Sequence, residues 1–207
     1  MQDELSTLEI DALTEMFNIG IGRAAHSLSQ MVSQTVDLTV PKVAILPNET
    51  TKMKFSFNGE NEVSAVVQDF SGDFNGQASL MFGKESGLKL VSALLENKIP
   101  LEALTELEQD SLVEVGNIIL NACFGTVINF LKSSIKIELP EFIQGSIDRV
   151  FTFDSNNDWS LYIKVNFSLP TENIEGHISF LMDITSLEIF QNSVRHFVYG
   201  ITQKNNA

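Results

Sequence analysis

The sequence predicts an α+β fold in which two long motif helices pack on a mainly antiparallel β-sheet, arranged as an internal pseudo-twofold repeat. Three observations predict it. A polar motif with helical spacing occurs twice at one offset. Each copy is followed by short apolar runs bounded by turn residues. A second, shorter helical pattern closes each half.

The opening helix carries Asp11-Ala-Leu-Thr-Glu15-Met-Phe-Asn18, which matches Asp110-Ser-Leu-Val-Glu114-Val-Gly-Asn117 at an offset of 99 residues. Pro41 lies 23 residues after Asn18, and Pro140 lies 23 residues after Asn117. Strands are expected next. Lys54–Phe57 and Glu62–Phe70 flank Asn58-Gly59, a hairpin dipeptide, and Val150–Phe153 and Trp159–Phe167 flank Asp154–Asp158 in the same manner. Gly76-Gln-Ala-Ser-Leu-Met-Phe then pairs with Gly176-His-Ile-Ser-Phe-Leu-Met, each followed by a helical stretch, Lys84–Asn97 and Thr185–Tyr199. Pro100 ends the first half. With no flexible linker between the halves, a single domain spanning 1–207 is expected, made of two repeats at about 8–97 and 107–199.

Composition narrows the function. Of 207 residues, 43% are hydrophobic and 19% charged, a globular balance that excludes a disordered or collagen-like chain. Acidic residues outnumber basic ones 27 to 13, and the net charge of −14 argues against nucleic acid as a partner. The single cysteine, Cys123, makes neither an internal disulfide nor a thiolate metal site, and it reads as a small core residue. The acidic start lacks the basic region of a secretory signal. The most apolar stretch, Val115–Leu131, is interrupted by Asn117, Asn121 and Asn129, so no membrane insertion is expected and the cytoplasm is the expected location.

A helix advances about 100° per residue, so Asp11, Glu15 and Asn18 fall at about 160°, 200° and 140° from Leu13, on one stripe. Gly22, Ala25 and Ser29 continue it, while Phe17, Ala24, Leu28 and Met31 share the side of Leu13. In the second copy Asp110, Glu114, Asn117 and Asn121 form the polar stripe. Leu112, Val115, Ile119, Cys123 and Phe130 form the apolar one. A polar face opposite an apolar stripe is what any amphipathic surface helix shows. Here, however, both copies keep the same carboxylate and the same amide, with no Lys or Arg in the central motif. Glu and Asn alone make no hydrolytic site: no nucleophile, base and orienting group accompany them, and no metal cluster does. The amide both donates and accepts, so it can hold a water in one orientation. The carboxylate can pair with a cation that another protein supplies. The pair is half of an active site, suited to insertion into a partner that carries the reactive bond.

At these residues the chain resembles the CheC-type chemotaxis phosphatases, the family that includes CheX and the phosphatase region of FliY. The family pattern, D/S-x3-E-x2-N-x22-P, is met twice, by Asp11, Glu15, Asn18 and Pro41 and by Asp110, Glu114, Asn117 and Pro140. Asn18–Gln30 also resembles the small-residue-rich sequence after the first motif of CheC. Two intact copies favour a CheC-like chain over CheX, which carries one active copy. No appended switch domain follows, which sets FliY aside as an expectation.

The resemblance implies hydrolysis of the aspartyl phosphate of a CheY-like receiver. In that scheme Asn18 and Asn117 orient the attacking water, and Glu15 and Glu114 pair with the receiver's active-site lysine. Asp11, Pro41, Asp110 and Pro140 support the motifs. No cofactor or metal of the chain's own is implied, and Mg²⁺ is expected on the receiver. The competing reading is a non-catalytic adaptor for a receiver or for the receptor-modifying deamidase CheD.

Beyond the motifs, Gly22 and Ala25 in the first copy and Asn121 and Phe124 in the second are candidate docking residues. The apolar ones either dock a receiver or pack against the chain. The smaller residues leave more room at the first site. Phe17 has a core-facing angle.

Four further signals carry less. Leu5–Leu13 resembles a receiver-binding peptide, yet Asp11 and Leu13 already belong to the motif helix. Asp154, Asn156 and Asp158 resemble the opening of a calcium loop, but Trp159 and Val165 stand at its glycine and glutamate positions. Gly20-x-Gly22 falls inside a helix, where it favours close packing over nucleotide binding. His26, His177 and His196 are scattered.

Overall fold

The computed structural model describes residues 5–54, 62–94, 106–151, 159–169 and 173–205. The first long helix, α1 (Thr7–Val32), begins at a Ser6 capping box. The backbone N–H of Ser6 donates to Glu9 Oε2 at 2.7 Å, and that of Glu9 donates to Ser6 Oγ at 3.4 Å. There follow β1 (Asp37–Pro47), α2 (Asn48–Lys54), β2 (Glu62–Gly72), β3 (Gly76–Gly83) and α3 (Lys84–Leu94). The second long helix, α4 (Glu106–Leu131), leads to β4 (Ile135–Ile137), β5 (Glu141–Ser146) and a 3-10 turn (Ile147–Arg149). The chain continues through β6 (Trp159–Ser168), β7 (Asn173–Met182) and α5 (Ile184–Asn205).

The seven strands form one antiparallel sheet in the order β1-β6-β7-β3-β2-β4, with β5 also on β2. The mixed helix and antiparallel sheet expected from the sequence is the fold observed. The sheet interleaves the chain: β1 pairs with β6 across Leu38↔Phe167 to Pro47↔Trp159, while β5 pairs with β2 across Val67↔Glu141 to Glu62↔Ser146. At the centre β3 and β7 run side by side from Gly76↔Met182 to Met81↔His177.

Side chains alternate across the sheet, as the strand period requires. Val66 and Phe70 of β2, Leu80 and Phe82 of β3, and Ile178 and Phe180 of β7 join the main core beneath α1, α3, α4 and α5. Val63, Ala65 and Val67 point the other way, into a smaller cluster with Met81, Val150 and Tyr162. On that side α2 reaches the sheet through Thr51 Oγ1, 2.5 Å from Ser160 Oγ, and Lys52 pairs with Asp148 of the 3-10 turn at 3.1 Å.

Both motif helices send a ring to Phe180. Phe17 comes from α1, with centroids 5.8 Å apart, and Phe124 from α4, stacked at 4.9 Å. Phe17 is therefore a core residue, as its helical angle predicts. Gly20 is the point of closest approach between α1 and α4: a Cβ there would lie 2.8 Å from Ala122 O and Cys123 Cα. Three residues on, Arg23 Nη1 donates to Thr126 Oγ1 at 3.2 Å, so the helices run in the same direction at the contact. Cys123 is fully buried, and burial pushes its thiol well above the usual range.

Several expectations are corrected. Lys54 ends α2 instead of starting a strand, and Phe55, Ser56, Phe57, Asn58 and Gly59 lie outside the described residues. The hairpin partner of β2 is β3, across Phe70↔Gly76. Val150 follows the 3-10 turn, and the proposed loop from Asp154 to Asp158 lies outside the described residues. Met31 and Phe130 are exposed, because each lies in the last turn of its helix, where the apolar stripe runs past the core. Among the described residues α4 supplies the only helix span, Gln109–Leu131, long and apolar enough to cross a membrane. Its Leu112, Val115, Ile119, Leu120, Cys123, Phe124 and Val127 are buried against α1 and the sheet, which accounts for that apolarity.

Candidate functional site

In α1 the motif carboxylates and amide lie opposite the core. Asp11, Glu15 and Asn18 are exposed, while Leu13, Met16, Phe17, Ile21 and Ala24 are buried. Asn18 makes no side-chain hydrogen bond among the described residues, so its carbonyl and its NH₂ both face solvent. Gly22 is exposed and Ala25 half-buried. Ser29, one turn further, is turned inward, donating to Ala25 O at 2.8 Å and accepting from the N–H of Val36 at 3.0 Å.

The second motif differs. Asp110 and Glu114 are exposed on α4, but Asn117 is half-buried. Its Oδ1 accepts from Asn121 Nδ2 at 2.5 Å and from Gln68 Nε2 at 3.3 Å. Gln68 lies on the helix-facing side of β2, is 2% exposed, and donates also to the backbone carbonyl of Glu138 at 3.3 Å. Asn117 sits over the sheet because Gly116 allows it: a Cβ at 116 would come within 2.5 Å of the Val66 side chain. Where the first copy has the bulky Phe17, the second has a glycine, and α4 approaches β2 closely enough for Gln68 to reach the motif.

Of the four candidate docking residues, Gly22, Ala25 and Asn121 are at least partly accessible, and Phe124 is not. Phe124 is 3% exposed and packed between Phe70, at 4.6 Å, and Phe180. Its expected docking role is corrected to core packing, and with it falls the argument that Phe124 narrows access to the second site. The two motif prolines both interrupt strands. Pro41 lies in β1 where the register shifts between Thr39 and Lys42, and Pro140 separates β4 from β5. A residue without an N–H is suited to such a break. Sequence reasoning missed Gln68. The signal was a polar residue between Val66 and Phe70 on the core-facing side of an otherwise apolar strand.

Among the described residues no three His, Cys, Asp or Glu side chains converge on a metal position. The chemistry at hand is that of four exposed carboxylates and the two motif amides on neighbouring helices.

The CheC-like family model matches residues 8–45, which hold Asp11, Glu15, Asn18 and Pro41. The model of the chemotaxis phosphatase CheX matches residues 63–162, which hold Asp110, Glu114, Asn117 and Pro140. Over 187 residues the chain is 25% identical to the flagellar motor switch phosphatase FliY of Bacillus subtilis, covering 88% of this chain and 48% of FliY. Over 136 residues it is 23% identical to the CheY-P phosphatase CheC of the same organism, covering 64% of this chain and 65% of CheC. The chain thus spans about half the length of one relative and just under two thirds of the other.

In fold it is similar to Thermotoga maritima FliY, with a TM-score of 0.74 at 17% identity over 93% of this chain and 98% of that one. It is similar also to the FliM middle domain from H. pylori, at 0.69 and 10% over 91% and 99%. The CheX–CheY–BeF3–Mg²⁺ complex from Borrelia burgdorferi gives 0.51 and 20% over 81% and 98%. Each motif helix thus lies within a match to one of these two models, and with FliY and CheC as relatives the chain resembles the CheC/CheX/FliY family along both repeats.

Proposed function

We propose that the chain is a phosphatase of the aspartyl phosphate on a CheY-like receiver, acting in the cytoplasm in chemotaxis signalling. The observation that carries this reading is the presence of two Glu/Asn pairs on the outer faces of α1 and α4, each within a match to a family model. A similar fold occurs in a CheX bound to CheY with BeF3 and Mg²⁺, which supports a receiver as the partner.

Water attacks the phosphorus, the bond to the receiver's aspartyl oxygen breaks, and inorganic phosphate leaves. Phosphoryl transfer of this kind needs positioning and charge stabilisation more than covalent catalysis. Asn18 or Asn117 holds the water, while Glu15 or Glu114 pairs with the receiver's lysine and aligns the two proteins. The Mg²⁺ belongs to the receiver. Asp11 and Asp110, one turn before the glutamates, extend each acidic face.

A second reading has a specific observation behind it. The FliM middle domain shares this fold, so the fold alone does not decide activity. In that reading the same faces bind a receiver, or CheD, without turnover. Phosphate release from a phosphorylated chemotaxis receiver, with and without the chain, separates the two. The phosphatase reading expects acceleration without added nucleotide. Losing one amide should cost its own site on the order of 10²–10³ in rate, about 3–4 kcal/mol. Asn18→Ala and Asn117→Ala should each remove part of the activity, and the double variant nearly all of it. Alanine preserves the helix, so the loss reports on the amide. Binding of the receiver without faster release would establish the adaptor.

A further inference from the structure

We propose that Gln68 is a positioning residue for Asn117, and that it makes the second motif the faster of the two sites; this rests on the phosphatase reading above. A carbonyl oxygen has two lone pairs, and those of Asn117 Oδ1 are taken by Gln68 Nε2 and Asn121 Nδ2. The amide is thereby fixed about its last torsion. Its NH₂, which has no partner among the described residues, is the end left to hold a water. Asn18 has no such bracket and must be ordered on docking, which costs side-chain entropy at each encounter.

Gln68 is itself an expensive choice for this position. It is 2% exposed, and its own Oε1 is buried without a hydrogen-bond partner. A methionine of the same length would fill the space with no unpaired polar atom. The other end of Gln68 accounts for its presence: one NH₂ group ties Asn117 to the carbonyl of Glu138. Glu138 belongs to the strand break that carries Pro140, and Leu139 between them projects 86% exposed. The bracket thus fixes the amide relative to an apolar side chain on the site's rim. In the first repeat Val40, the residue before Pro41, is buried instead.

The test is Gln68→Met placed in the wild type, in Asn18→Ala and in Asn117→Ala, assayed by phosphate release from a phosphorylated CheY-like receiver. With Asn117 as the only amide, kcat should fall about tenfold with KM unchanged, the low range of what loosened positioning costs. With Asn18 as the only amide, the same substitution should add nothing to the loss already present. Melting temperature should stay level or rise. An equal loss in both backgrounds, or none with Asn117 alone, overturns the proposal. A wild type that never accelerates release fails the phosphatase reading instead. The positioning claim is then decided on the wild type by NMR relaxation of the side-chain amides: Asn117 NH₂ should be as rigid as the backbone, with an order parameter of about 0.85, and Asn18 below about 0.6. Equal mobility of the two overturns it.

Discussion

His177 of β7 is buried between two neighbours on the sheet face turned away from the motif helices. Its Nδ1 accepts from Tyr162 OH at 3.0 Å, and its Nε2 lies 3.2 Å from Glu175 Oε1, which places the single N–H of a neutral ring on Nε2. Glu175 is also paired to Lys164 at 2.5 Å. Burial above all, helped by Lys164 and opposed by Glu175, lowers the pKa of His177 to about 4. An unfolded histidine titrates near 6.5. Between these values the unfolded chain binds more protons, so stability is complete above pH 6.5 and is lost as pH falls toward 4. The contribution is on the order of 3 kcal/mol. Urea unfolding at pH 7, 5.5 and 4.5 should show a drop in the wild type that His177→Gln lacks; parallel curves would assign the drop to other groups. None of this was legible in the sequence, where His177 looked like any isolated histidine. Its partners come from cross-strand pairing, Lys164↔His177, and the strand alternation that brings Tyr162 onto the same face. Asn18 was legible because a helical motif is local, and Gln68 was not because its partner lies 49 residues away.

At the scale of elements, the spacing that put the motif on a helix also put glycines beside it, and these divide sharply. A Cβ at Gly20 would strike the backbone of α4 at 2.8 Å, whereas one at Gly22 would meet nothing within 4 Å. Gly20→Ala should therefore force α1 and α4 apart and cost about 2 kcal/mol or more. Gly22→Ala should add about 0.5–1 kcal/mol of stability through helix propensity. Thermal or urea melts of both variants check this, and a tolerated Gly20→Ala would show that the crossing can slide. The close-packing role read from Gly20-x-Gly22 holds for Gly20 alone, since sequence spacing could not tell which glycine faces the neighbouring helix. Helices α1, α4 and α5 were visible from periodicity. The first hairpin was misplaced because Asn58-Gly59 is a strong local turn signal. The turn that joins β2 to β3 is Asp73–Asn75, where Asn75 Oδ1 accepts from the N–H of Gly72 at 3.2 Å. Pairing of β2 with β5 is long-range, and no local pattern encodes it.

At the scale of the whole molecule, the sheet order suggests how the halves depend on one another. Exchanging β1 with β5, β2 with β6 and β3 with β7 leaves the order β1-β6-β7-β3-β2-β5 reversed but otherwise unchanged. The two non-glycine residues with left-handed backbone among those described, Ser33 and Lys132, follow α1 and α4 and are again 99 residues apart. On these grounds we take 1–207 as one domain of two repeats, about 8–97 and 107–199. The interleaving makes a strong demand on it. Among the described residues of 1–100, β1 has no strand of its own half beside it, because its partner is β6; among those of 101–207, β5 has none, because its partner is β2. A separated half would expose the edge of its hairpin and the core face of its long helix together, and an unpaired apolar edge is a template for association. Expressed alone, each half should be unfolded or self-associated, never a folded monomer. A half that does fold should do so as a twofold dimer, in which two copies of one repeat rebuild the six-strand order. Mixing 1–100 with 101–207 should restore the helical circular dichroism signal and a 1:1 complex in sedimentation equilibrium. A monomeric half with a cooperative melt would show that the repeats are separate domains, and the parallel contact of α1 with α4 would then be a docking of finished units instead of part of one core.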